Sequence, residues 1–274
     1  MGSSSPSISL IIATYNWPQA LAVVLRSVRA QQVWPTEVLI ADDGSRSDTR
    51  VLIDQERAGL PVPLVHVWHE DAGFRLAAIR NKAIAQARGD YIVQIDGDIV
   101  LHPRFIHAHA AFARRGSWVQ GSRALCTEAL THRLLEGRAG PPGPLTRGVA
   151  RRINAVHAPW LSPFVRGERG AERRVRGCHM AFWRDDLRRV NGYDEAMEGW
   201  GREDSELAAR LSNAGVVRRN LKFAAVCYHL WHRSASTESV ARNHDRFLRT
   251  VRERRTWCDH GLDQYLSPAN RVAS

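Results

Sequence analysis

The residues best suited to chemistry are the acids of "YIVQIDGDIVLHP" (91–103), where Asp96 and Asp98 flank Gly97 at the end of an apolar run. Two ionised carboxylates on one short turn repel each other and are poorly solvated when half buried, so a positive partner is required. An Asp-x-Asp turn at a strand end offers oxygen ligands to a hard divalent cation, Mg2+ or Mn2+, and leaves coordination positions for phosphate oxygens. The intervening glycine lets backbone and ligand approach closely. A second acidic group, Glu203, Asp204 and Glu206, crowds the start of a helical segment in "GYDEAMEGWGREDSELAARL". The helix dipole favours carboxylates there, and capping accounts for Glu206. It does not account for "GWG" just upstream, where Trp200 between two glycines offers a ring to the C–H face of a sugar or to a base. His229 and His232, in "CYHLWH", add nitrogen donors of a kind that suits Mn2+, and one of the two is expected to complete the metal's protein ligands.

These groups need a scaffold that carries them to one place. "SISLIIAT" is a continuous apolar run and reads as a buried strand, and "PQALAVVLRSVRAQ" places Leu21, Val24, Leu25 and Val28 on one helical face behind Pro18. "EVLIADDGS" is strand and turn, Val51 to Ala58 a helix closing at Gly59, "PLVHVWHE" a strand, "RLAAIRNKAIAQARG" a helix stopped by Gly89, and "DYIVQID" the fourth strand. Strands alternating with helices predict an α/β fold with a mostly parallel central sheet covered on both faces. Ligands of such sheets bind beyond the carboxyl ends of the strands. "TYN", "DDGS" and "DGD" each follow a strand, so they can line one crevice.

Residues 123–176 differ in composition: "GRAGPPGPLTRG" and "RGERGAERRVRG" are rich in Arg, Gly and Pro and read as an irregular insertion around one helix. Order returns with "CHMAFW" as strand, "RDDLRRVNG" as a short helix, "REDSELAARLSNAG" as a helix capped by Gly215, and "KFAAVCYHLWH" as a last strand. A basic helical tail, Thr237 to Trp257, is expected to pack by Val240, Phe247 and Val251. The resulting division is 1–122, the insertion 123–176, 177–235 completing the first unit, and the tail 236–274.

With 274 residues and 44% apolar content the chain can bury a substantial core. It shows neither a run of about 18 apolar residues nor a secretion-signal layout. The four cysteines are scattered without a CxxC pair, which argues against a zinc ribbon or a disulfide framework and suits a reducing cytosol. A formal charge of +11 implies an anionic partner. The arginines are not interleaved with a recognisable nucleic-acid platform, so nucleic acid is not the expected partner. A nucleotidyltransferase would want a Gly-rich basic loop after the first strand, and "TYNWPQ" is not one. A non-catalytic sugar-binding protein would have little use for the carboxylates.

The ordered set "SLIIATYNWPQAL", "EVLIADDGS", "AIRNKAIAQARGDYIVQIDGDIVLHP", "GCHMAFWRDDLRRVNGYDEAMEGWGREDSELAARL" and "YHLWH" resembles family 2 glycosyltransferases of the GT-A fold over roughly residues 7 to 235. The C-terminal half resembles the galactosyltransferase-type module of bacterial chondroitin-type polymerases and animal β-1,4-galactosyltransferases. The resemblance implies inverting transfer from a nucleotide-diphosphate sugar, usually a UDP-sugar, to a saccharide hydroxyl, as in cell-surface polysaccharide or lipopolysaccharide synthesis. By position it implies that Thr14, Tyr15 and Asn16 border the nucleotide, that Asp43 or else Asp42 contacts the base, and that Arg80 meets base or phosphate. It makes Asp96 and Asp98 the Asp-x-Asp pair with Asp98 the more direct metal ligand, and gives His232 and His229 as metal-binding histidines. Trp200 and Gly201 would form a flexible acceptor-side loop, Glu203 would hold the donor sugar, and Asp204 would be the catalytic base. Cys178, His179 and Arg202 depart from the family's usual residues and leave the donor sugar open.

Leu145, Val149, Ile153, Val156, Trp160 and Phe164 recur at roughly helical spacing among Arg147, Arg151 and Arg152. An interfacial helix on anionic lipid would show this pattern, and so would a helix packed on its own domain with arginines on the wet side. The first alternative would suit a lipid-linked acceptor at the inner face of the cytoplasmic membrane.

Overall fold

The computed structural model describes residues 5–165, 175–233 and 238–267. The first half alternates as expected: β1 (Ile8–Thr14), α1 (Pro18–Arg29), β2 (Glu37–Asp42), α2 (Ser47–Arg57), β3 (Leu64–Trp68), α3 (Leu76–Gln86) and β4 (Tyr91–Asp96). It continues through β5 (Ile99–Leu101), α4 (Phe105–Phe112), β6 (Ser117–Gly121), β7 (Ala124–Cys126), α5 (Glu128–Leu135) and β8 (Val149–Ala150). The remainder comprises β9 (His179–Trp183), α6 (Arg184–Arg189), α7 (Glu203–Asn213), β10 (Val217–Leu221), β11 (Cys227–His229) and α8 (Val240–Glu253).

Seven strands form the main sheet in the order β10-β6-β9-β4-β1-β2-β3. β4, β1, β2 and β3 run parallel, whereas β9 is antiparallel to both its neighbours, β4 and β6. Alternation along β1 sends Leu10 and Ile12 to a core shared with Leu21, Val24 and Leu25 of α1, and Ile11 and Ala13 to the opposite core with Ile79 of α3 and Leu207 of α7. Both faces being covered is why these strands read as unbroken apolar runs. A second sheet, β5-β11-β7-β8, closes over a third core.

Antiparallel pairing does the positioning work. β9 pairs His179 with Ile95, so the residues entering β9, Gly177 and Cys178, arrive beside Asp96. β11 pairs His229 with Ile99, and the Leu230 amide donates to the Asp98 carbonyl at 2.9 Å, which brings the two histidines to the acidic turn.

Several expectations need correction. Residues 145–164 do not form one helix: Gly148 lies at φ +96°, and the segment is a two-residue strand followed by 3-10 turns at Arg152–Ala155 and Pro159–Phe164. Pro159 and Pro163 lack the amide hydrogens an α-helix needs there. The expected last strand is cut to Cys227–His229 because Phe223 adopts φ +67°. The tail helix starts at Val240 and packs through Phe247, while Val251 is exposed. The arginine-rich stretch 166–174, and Thr237, lie outside the described residues. No helix among the described residues is long and apolar enough to cross a membrane.

Candidate active site

The acidic turn, the start of α7 and the end of β11 meet in one cleft of about 830 Å³ at the carboxyl ends of the parallel strands. Gly97 closes the turn tightly: its amide donates to the Ala13 carbonyl at 2.6 Å, and a Cβ there would come within 2.9 Å of that same oxygen. Asp98 is buried, with Oδ2 3.1 Å from His232 Nε2 and 3.4 Å from His229 Nε2.

One ligand atom from each of Asp98, His229 and His232 lies within 4.8 Å of the others. Among the described residues Asp98 Oδ1 is buried without a hydrogen-bond partner, which a protein rarely tolerates unless something else satisfies the atom. One oxygen and two imidazole nitrogens are a donor set that could hold a divalent cation of the Mn2+ kind. Burial lowers the His229 pKa, which favours the neutral imidazole a ligand must present, whereas the hydrogen bond to Asp98 raises that of His232 to about 9, a proton that a cation would have to displace.

Arg80, 1% exposed on α3, joins the two acidic walls. Its Nη2 donates to Asp96 Oδ1 at 3.0 Å and its Nη1 to Asp204 Oδ1 at 2.9 Å. Burial opposes its charge, but neighbouring Tyr193, Asp204 and Asp96 hold the guanidinium above its ordinary pKa. Burial likewise raises Asp96 to about 6 against the pull of Arg80, and raises Glu203 to about 7 with help from Asp204. Tyr193 completes the clamp, its hydroxyl 2.9 Å from Gln94 Oε1 and 3.4 Å from Asp204 Oδ1. Arg80 thus lines the cleft with two of its donors already committed to carboxylates, a geometry the sequence expectation of a base or phosphate contact did not contain.

On the opposite side, Thr14, Tyr15 and Asp43 line the cleft, while Asn16 and Asp42 do not. Asp42 is fully buried and uses its carboxylate on the Ser45 amide and on His66 Nε2, both at 2.8 Å. Asn16, at φ +47°, accepts from the Arg46 amide and so fastens two turns together. Asp43 pairs with His69 Nε2 at 2.7 Å and with the Arg75 amide at 3.0 Å. Trp200 is 47% exposed over the cleft, and Glu203 Oε2 accepts from the Gly201 amide at 3.0 Å.

Sequence reasoning missed Arg123, Tyr193 and Trp17 and gave Val240 only a packing role; all but Tyr193 line the cleft. Arg123 meets the Cys178 thiol, whose pKa burial pushes up to about 12. No spacing rule could find Arg123, since it reaches the site only through the β6–β7 turn. Gly177 packs against Asp204 so closely that a Cβ would lie 2.0 Å from Oδ2.

A mixed α/β sheet with an acidic cleft at its strand ends is the architecture of the GT-A glycosyltransferases. GalNAc-T7, solved with UDP, GalNAc and Mn2+, superposes with a TM-score of 0.66 at 14% identity, covering 91% of this chain and 48% of that one. The chain belongs to glycosyl transferase family 2: residues 9–165 match that family, and residues 167–233 match the N-terminal domain of galactosyltransferase. Validoxylamine A glucosyltransferase of Streptomyces hygroscopicus subsp. limoneus is 29% identical over 270 residues, 90% of this chain and 57% of that protein. Chondroitin synthase of Escherichia coli is 24% identical over 240 residues, 81% of this chain and 34% of that protein. The chain therefore spans between a third and three fifths of these relatives' lengths.

Proposed function

We propose that this glycosyltransferase moves a sugar, with inversion, from a nucleotide-diphosphate sugar of the UDP type to a hydroxyl of a saccharide, with help from a divalent cation. The observation that carries the reading is the Arg80 bridge, which sets the acidic end of β4 and the start of α7 on facing walls of one cleft. Solved neighbours with UDP and Mn2+ support the donor and the metal.

In this scheme Asp98, His229 and His232 would hold the cation, beside Asp96, and Thr14, Tyr15 and Asp43 border the nucleotide. When bound, a divalent cation would offset charge on the departing diphosphate. Glu203 holds the donor sugar, and Trp200 with Gly201 forms the acceptor side. Asp204 takes the acceptor hydroxyl proton as the new C–O bond forms and the bond from C1 to the diphosphate breaks on the opposite face. Arg80 and Tyr193 keep that carboxylate aimed, so little reorganisation is needed as the proton moves.

A panel of nucleotide sugars with Mn2+, and with chelator, tests the reading. Asp204→Asn is expected to abolish transfer while nucleotide binding persists; loss of both together, or full activity in excess chelator, would overturn the assignments. A role at membranes is a further part of the proposal. Trp160 and Phe164, 72% and 77% exposed, follow Arg151 and Arg152 in the chain, and exposed aromatic rings with nearby basic sequence suit contact with anionic lipid and a lipid-linked acceptor. Flotation with anionic but not zwitterionic vesicles checks it, and Trp160→Ser with Phe164→Ser should abolish the binding.

A further inference from the structure

The loop carrying Trp200 is not loose. Gly199 and Gly201 adopt φ +76° and +110°, yet their surroundings hold them from two sides. On the cleft side, the Gly199 amide donates to the Phe74 carbonyl at 3.0 Å and the Gly201 amide to Glu203 Oε2 at 3.0 Å. On the other side stands α8, which lies beyond both family matches.

Asn243 of α8 is fully buried, and its Nδ2 donates to the carbonyls of Glu198 at 3.2 Å and Gly201 at 3.0 Å. Arg242 adds a second donor to the Glu198 carbonyl at 3.2 Å. Ser239 packs so tightly on Gly199 that a Cβ there would lie 2.0 Å from its Oγ, and a Cβ at Gly201 would lie 3.2 Å from Val240 Cγ2. Val240 itself lines the cleft, in the same wall as Trp200.

We propose that the first turn of α8 belongs to the acceptor site: Asn243 is a positioning residue that fixes the Trp200 loop, and Val240 extends the apolar wall against which an acceptor pyranoside lays its C–H face. This rests on the glycosyltransferase reading above. A single amide holding both carbonyls sets where the Trp200 ring stands relative to Asp204, and so which hydroxyl of the acceptor reaches the base. A displacement of the ring by about 1 Å is enough to cost a hundredfold in such geometry.

The helix remains anchored without Asn243. Phe247 is buried, Thr250 Oγ1 donates to Glu206 Oε1 at 2.9 Å, and Asn213 Nδ2 donates to the Thr250 carbonyl at 3.3 Å. Asn243→Ala should therefore fold. The kinetic probe is the para-nitrophenyl hexoside that the unaltered enzyme uses best from a panel of glucoside, galactoside, N-acetylhexosaminides and glucuronide.

For Asn243→Ala the acceptor KM is expected to rise on the order of tenfold or more while the donor KM moves less than about twofold. Val240→Ala should raise the acceptor KM in the same selective way and change the ranking of acceptors in the panel. Hydrogen exchange of the Gly199 and Gly201 amides should quicken on the order of tenfold in Asn243→Ala. Equal shifts of donor and acceptor KM, a mere fall in kcat that tracks the folded fraction, or unchanged exchange across 198–201 would overturn the inference. An unaltered enzyme that transfers to none of the panel counts against the glycosyltransferase reading, whereas the exchange result decides the pinning on its own.

Discussion

Removal of the Arg80 guanidinium is the most informative single perturbation of the cleft. Arg80→Met keeps much of the side chain's volume but leaves the carboxylates of Asp96 and Asp204 without the donors now at 3.0 Å and 2.9 Å. At an effective dielectric of about 20, each pair at a charge separation of about 4 Å gains about 4 kcal/mol, much of it offset by desolvation. Deleting one partner of a fully buried pair typically costs about 3–5 kcal/mol; the Asp96 and Asp204 side chains keep 34% and 16% of their surface exposed, so solvent screens part of this and about 2–3 kcal/mol is expected. For a chain of this size that corresponds to a fall in Tm on the order of 4–6 °C. The deficit has a pH signature. Asp96 already sits at about 6 because burial outweighs Arg80. Without Arg80 its folded pKa rises further, so the folded variant binds more protons than the unaltered protein above pH 6. Its stability must then fall faster as pH rises through that window, and the deficit shrinks as pH is lowered from 8 to 5. Urea unfolding at pH 5, 6.5 and 8 measures both quantities. A variant that unfolds at the unaltered protein's midpoint at pH 8, or whose deficit does not depend on pH, refutes the clamp.

Glu203 holds its proton up to about 7, against 4.5 for an ordinary glutamate, first because it is buried and second because Asp204 is near. The folded protein therefore binds more protons between those values and loses stability as pH rises through them; Glu203→Gln should remove that slope and gain on the order of 2–3 kcal/mol at pH 8 while gaining little at pH 4. His179 and His109, both buried, share an Nε2–Nε2 contact of 2.8 Å, and burial lowers His179 to about 4. Stability should accordingly drop as pH falls from 6.5 toward 4, by roughly 3 kcal/mol from His179 alone, and a His179 ring that titrates near 6.5 by nitrogen-15 NMR would contradict this. Gly177→Ala places a methyl 2.0 Å from Asp204 Oδ2 and must push the carboxylate aside, so kcat should fall on the order of a hundredfold with the donor KM little changed; unchanged kcat would show that the carboxylate is free to move.

The parallel half of the sheet was legible because β1, β2 and β4 are buried on both faces, and a buried parallel strand has nowhere to put polar residues. β10, "VRRNL", was missed because it is an edge strand, where arginine is tolerated and the apolar run disappears. The stripe from Leu145 to Phe164 misled because its spacing is helical on paper, whereas Gly148, Pro159 and Pro163 end any helix that begins to form. Within the site, the acids and histidines could be named because each closes a strand or opens a helix. The contacts among them could not. Arg80 lies one turn inside α3, and nothing in "RLAAIRNKAIAQARG" tells its guanidinium from a solvated one.

The arrangement of the cleft follows from one topological fact. Were every strand of the main sheet parallel, β9 would reach the level of Asp96 with its carboxyl end, and Gly177 would lie at the far edge of the sheet. Because β9 runs antiparallel, its amino end meets the carboxyl end of β4, and Gly177 and Cys178 enter the cleft beside Asp96. The absence of a side chain at Gly177 is what lets Asp204 approach from α7, within reach of the same arginine that holds Asp96. β11 repeats the device on β5, delivering His229 and then His232 to Asp98. Two antiparallel pairings therefore turn a parallel sheet into a cleft with Asp98, His229 and His232 on one wall and Asp204 on the other. A substitution that shifted the register of β9 by one residue would turn its side chains over and carry Cys178 out of the cleft, with loss of the Arg80 bridge ahead of any loss of the parallel core.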